Sequence, residues 1–157
     1  MRGRFIRDIL ELPEGNYFIS TQKSYPGDAQ NDGSCIDIVI ESKELVCFME
    51  VKVNSTENPG RSHNSGQLSK YVHVLNRLNA RGTETHLRYL TKNGESKKIK
   101  DHHFRQFRWY QVWKFFKQLE NQPMVSDFLH FLKSQDMGQE LTITAKDLIA
   151  IENTQKV

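Results

Sequence analysis

Two apolar runs close together in the chain each carry charged residues in their middle. Cys35-Ile36-Asp37-Ile38-Val39-Ile40 is followed, after the polar Glu41-Ser42-Lys43-Glu44, by Leu45-Val46-Cys47-Phe48-Met49-Glu50-Val51-Lys52-Val53. Runs of β-branched and aromatic residues separated by a short polar turn predict a hairpin of two strands. A charge among such neighbours is expensive unless it is paired or holds a metal. Side chains alternate between faces along a strand, so Glu50 and Lys52 share a face and Met49, Val51 and Val53 share the other. With Ile36 and Ile38 pointing the opposite way from Asp37, a simple register sets Asp37 beside Glu50, with Lys52 next along.

The rest of the chain supplies a setting for that hairpin. Phe5, Ile6, Ile9 and Leu10 fall at helical spacing over 4–12, and Pro13 to Asn16 end that helix. Tyr17 to Gln22 reads as a strand, and Gly27 and Gly33 sit among the breakers of the polar loop after it. Residues 54–66 read as a loop. Leu68, Tyr71, Val72, Leu75 and Leu78 predict a helix over 67–80, stopped near Gly82. Thr85 to Thr91 reads as a fourth strand. A turn at Lys92 to Glu95 leads to basic residues 96–100, then to an aromatic helix over 104–119 and to short helices near 124–135 and 144–152. At 157 residues this is one domain: an α/β core with a mixed central sheet over 1–92 and a helical C-terminal extension over 96–157.

Composition narrows the function classes. The net charge of +3 does not itself argue for nucleic acid. Its distribution can, because Lys97, Lys98, Lys100, Arg105, Arg108, Lys114 and Lys117 cluster around the aromatic segment, either as a nucleic-acid track or as a solvated face. The two cysteines, Cys35 and Cys47, make neither a disulfide scaffold nor a four-cysteine zinc site, and read as buried thiols of a reducing compartment. No signal peptide and no span of about 20 apolar residues is visible, so a soluble, cytoplasmic protein is expected with no membrane partner. The abrupt start into Phe5 to Leu10 suggests that a further segment precedes it. His63-Asn64 and His102-His103 lack zinc spacing and read as surface or phosphate contacts.

Two carboxylates and a lysine on neighbouring strands suit phosphodiester hydrolysis. Asp37 and Glu50 can hold a hard cation such as Mg²⁺ (or Mn²⁺), with the Val51 carbonyl as a third oxygen ligand. Such a cation polarises a phosphoryl oxygen and lowers the pKa of bound water. Lys52 can orient that water or balance charge on the phosphate. An ion pair on a sheet face is the structural alternative, although buried pairs are costly beside apolar packing.

The pattern Gly33-x-x-Ile36-Asp37-Ile38, then Met49-Glu50-Val51-Lys52, resembles the PD-(D/E)XK nuclease superfamily. Gln67-Leu68-Ser69-Lys70-Tyr71 is similar to the Gln-x-x-x-Tyr motif of its RecB-like branch. Gln67 and Tyr71, four apart, share a helical face where they can bind the scissile phosphate or hold Lys52. The resemblance covers roughly residues 1–92. It implies a restriction-endonuclease-like α-β-β-β-α-β core and a Mg²⁺-dependent nuclease, foremost a DNA endonuclease of a defence, restriction or repair system, acting as a homodimer or with a partner protein. It also implies an acidic residue on the first helix, for which Glu11 is the nearest candidate, with Glu14 behind it. The rival expectation is a catalytically inactive, nucleic-acid-binding or assembly module on the same fold.

Overall fold

The computed structural model describes residues 2–28, 33–53, 66–92 and 97–139. Its elements run α1 (Arg2–Asp8), β1 (Phe18–Tyr25), β2 (Ser34–Glu41), β3 (Leu45–Lys52), α2 (Gln67–Asn79), β4 (Glu84–Thr91), β5 (Arg105–Arg108), α3 (Trp109–Lys117) and α4 (Pro123–Ser134). The five strands lie in the order β1-β2-β3-β4-β5. The first three are antiparallel neighbours, while β4 and β5 each run parallel to the strand before. The fold is therefore α/β with a mixed sheet, as expected.

The sheet is covered on both sides. Val46 and Phe48 of β3 pack with Leu68, Tyr71, Val74 and Leu75 of α2 on one face. Leu45, Cys47 and Met49 pack with Ile6 and Leu10 of the N-terminal segment, Phe107 and Val112 on the other. A strand buried on both faces reads as a continuous apolar run, which is why β3 looks as it does. α2 ends where the sequence indicates: Gly82, at φ +87°, donates its N–H to the Asn79 carbonyl at 2.9 Å.

Three expectations change. Helix 104–119 is instead a strand followed by a shorter helix, so the segment after residue 96 is not a purely helical extension. β4 is buried along nearly its whole length. Its free edge would leave backbone groups unpaired away from water, and β5 satisfies them through Arg88↔Arg105 to Thr91↔Arg108. The first helix closes at Asp8 rather than at residue 12. Finally, Ile36 and Ile38 do not share a face: Ile36 packs toward α2 and Ile38 toward the opposite core. The strands kink between them, where Gln22 on β1, opposite Asp37, takes a left-handed φ of +52°. The expected loop over 54–66 lies outside the described residues save Gly66, the expected turn at Lys92 to Glu95 save Lys92, and the expected helix near 144–152 entirely.

Candidate active site

β2 and β3 part company at Asp37. Their last paired residues are Ile38↔Met49, whereas β3 stays paired with β4 through Lys52↔Thr91. In this fork the Asp37 Oδ2 accepts the Val51 N–H at 2.9 Å, so a side chain replaces a lost ladder acceptor. The Gln22 amide lies 3.4 Å from Asp37 Oδ1. Val51 thus meets Asp37 through its N–H.

Glu50 and Lys52 point toward α2, as alternation requires. Glu50 is fully buried, and its Oε1 is paired with the Lys52 ammonium. The Tyr71 hydroxyl donates to Glu50 Oε2 at 2.6 Å, with the Cys35 carbonyl a second acceptor 3.1 Å away. Gln67 donates its amide N–H to the Tyr71 oxygen at 3.1 Å and accepts from Lys52 at 2.9 Å. Glu50, Lys52, Gln67 and Tyr71 therefore form one closed ring of donors and acceptors. Gln67 and Tyr71 reach it because residues four apart stand on one side of a helix.

Burial dominates the electrostatics. Loss of water pushes the Glu50 carboxyl above its ordinary range; the bonds from Lys52 and Tyr71 oppose this, and the charge of nearby Asp37 adds to it. Desolvation and the Glu50 charge push the Tyr71 phenol up, so it stays a neutral donor. The buried Glu50 carboxylate with the Asp37 carboxylate near it is an oxygen donor set of the kind a hard divalent cation takes.

Glu11 does not join this cluster. It lies exposed just past α1 at φ +50°, and its carboxylate pairs with Arg105 at 3.0 Å. Its carbonyl faces Arg88, which lies beside Met49 on the face opposite Glu50. Closure of α1 at Asp8 carries Glu11 out to that edge. Glu14 is also remote, paired with Arg7 at 2.9 Å.

A second group of metal-ligand residue types, which the sequence reading did not assemble, sits on that other face. Ligand atoms of Glu84, His86 and His103 lie within 4.8 Å of one another. Strand alternation at Glu84-x-His86 was its only sequence signal, since His103 arrives from the loop before β5. Arg88, always a donor, lies 3.2 Å from His86 Nδ1, which leaves Nε2 carrying the proton toward Glu84 at 2.7 Å. The His86 and His103 rings stack at 4.8 Å. Here the three form a hydrogen-bonded, stacked group; taking a metal would require His86 to give up its Nε2 proton.

No family model and no curated protein matches this chain. One similar solved structure is a crystal structure of a protein of unknown function, AF1548, with 16% identity and a TM-score of 0.34 over 69% of this chain. The match spans 56% of that protein's length. No helix among the described residues is long and apolar enough to cross a membrane.

Proposed function

We propose that this chain is a metal-dependent nuclease with a restriction-endonuclease-like core, cutting DNA. The observation that carries the reading is the convergence of five residues from three separate segments. Asp37, Glu50, Lys52, Gln67 and Tyr71 meet at the fork between β2 and β3, linked by the bonds described above. The element order α1-β1-β2-β3-α2-β4 is compatible with such a core.

Asp37 and Glu50 would hold the cation, Mg²⁺ or Mn²⁺, with the Val51 carbonyl as a further oxygen donor. When bound, that ion supplies Lewis-acid polarisation of the phosphoryl oxygen and acidifies a water. The chain's own residues do the remainder. Tyr71 fixes one Glu50 oxygen, so the carboxylate cannot rotate. Gln67 keeps the Lys52 ammonium at the mouth of the site, where it orients the attacking water and balances charge growing on the phosphate.

Purified protein should cut duplex or single-stranded DNA with Mg²⁺ and stop when the metal is chelated. Asp37→Ala, Glu50→Ala and Lys52→Ala should each lower the rate by about a hundredfold or more. Digestion of matched RNA sets the substrate sugar. Equal cutting by the triple variant would end the proposal, and metal-independent DNA binding without cutting would favour a non-catalytic binding module.

A further inference from the structure

A cavity opens at the strand ends next to Lys52, on the sheet face opposite α2, and we infer that it takes one unpaired nucleotide of the DNA strand being cut. Its assignment to DNA rests on the nuclease reading above; its geometry does not. β3, β4 and β5 run parallel and end level with one another, at Lys52, Thr91 and Arg108. Ligands of parallel sheets bind at this end of the strands. The cavity, about 760 Å³, is lined by Lys92, Arg108, Trp109 and Tyr110 together with Arg4 and Lys114. That volume falls within the range of about 300–1,000 Å³ common for small-ligand pockets. One wall is tied to the catalytic strand, because the Trp109 indole N–H donates to the Lys52 carbonyl at 3.1 Å.

Charge and shape select the ligand. Four cations line the cavity against two carboxylates, Asp8 and Asp136. Asp8 is already paired with Arg7, outside the cavity lining, at 2.8 Å and faces Arg4 only at 3.8 Å, while Asp136 faces Lys92 at 3.8 Å. Among the described residues no carboxylate forms an ion pair with Arg108 or Lys114, which leaves an excess of positive charge for a phosphate. Trp109 and Tyr110 are only half-buried, and Tyr110 already stacks on Trp113 with ring planes 16° apart. Cations interleaved with open aromatic faces bind nucleic acid by stacking. Stacking needs a base whose face is free, which a base inside a duplex does not offer, so the strand must be unpaired at this position.

The test uses a short fluorescein-labelled single-stranded DNA and its duplex, titrated in chelator so that nothing is cut. The parent should bind the single strand more tightly. Tyr110→Ala should weaken that binding about tenfold while changing duplex binding little, and Tyr110→Phe should retain it. Lys114→Glu should weaken single-strand binding and reduce its salt slope by about one or more. Lys114→Glu sits on an exposed site and remains informative if Tyr110→Ala melts early. Unchanged single-strand affinity in folded variants, or equal losses on duplex and single strand, would overturn the cavity's role. Cleavage with Mg²⁺ is run in parallel. A parent that cuts but whose strand preference ignores Tyr110 and Lys114 loses the cavity and keeps the nuclease. A parent that never cuts yet binds single strands through Tyr110 keeps the cavity and loses the nuclease.

Discussion

Tyr71 shows how one side chain can serve core and site together. Its ring is fully buried against Phe48, with centroids 6.0 Å apart, while its hydroxyl holds Glu50. Tyr71→Phe keeps the packing and removes only the donor. A hydrogen bond to a buried charge contributes about 1.5–3 kcal/mol, so denaturant unfolding at neutral pH should show a loss of about 2 kcal/mol with an unchanged slope. An unchanged midpoint would mean that the Tyr71–Glu50 bond is absent in solution. The cysteines separate on similar grounds. Cys47 is buried, and desolvation pushes its thiol up to about 12, whereas Cys35 is exposed. Reaction needs the thiolate. At mildly alkaline pH a disulfide reagent should therefore label Cys35 in the folded protein and Cys47 only after denaturation. The apolar runs predict both thiols inside; Cys35 instead faces outward because β2 kinks at Asp37, and nothing in an apolar run announces a kink.

At the scale of elements, the parts that were legible are those whose residues repeat with a single period. α2, β3 and β4 stand where periodicity put them, within one residue at each end. Glu50 and Lys52 shared a face because two-residue alternation allows nothing else. β5 was hidden, since its assignment depends on the exposed edge of β4, not on its own four residues. The turn before it is equally non-local. His102 and His103 both take left-handed φ values, +58° and +43°, and their carbonyls are held by the Leu87 N–H and by Arg88. This turn buries His102 against Thr85 and stacks His103 on His86. Desolvation lowers both the His86 and the His102 imidazole below the ordinary value. The unfolded chain then takes up protons at a higher pH than the folded one does. Stability is accordingly full above about 6.5 and is lost as pH falls through the depressed folded values. Unfolding midpoints measured stepwise from neutral to mildly acidic pH should drop. His102→Gln should remove part of that slope, and a slope that survived in a variant lacking both imidazoles would assign it elsewhere.

For the whole molecule, the core over 1–92 and the extension after it share one apolar cluster. The face of the sheet opposite α2 is closed by residues from both ends of the chain: Ile6 and Leu10 from the start, Phe107 and Val112 from beyond residue 92, all against Met49 and Leu90. Phe5 rests against Phe115 and Phe116, with both centroid distances 5.4 Å, so α1 is itself packed on α3. Fully burying one such side chain contributes about 1.5–3 kcal/mol, and a domain's net stability is only about 5–15 kcal/mol. Loss of Phe107, Val112 and Phe115 therefore removes a large share of it. β4 would also lose its partner strand and expose a flat apolar edge, which favours aggregation. A fragment of residues 1–92 should show no cooperative thermal transition, should bind an apolar dye strongly, and should associate with time. The discriminating measurement is the same melt on residues 1–139, which keeps β5, α3 and α4. That fragment keeps Phe107, Val112 and Phe116 packed against the sheet and should unfold in one step. If 1–92 alone melted cooperatively, the fork that gathers Asp37 and Glu50 would belong to an independent unit, and β5 would be an ornament on it. The packing of α1 against α3 argues the other way: the strands that hold Asp37, Glu50 and Lys52 in register depend on residues more than fifty positions downstream of Lys52.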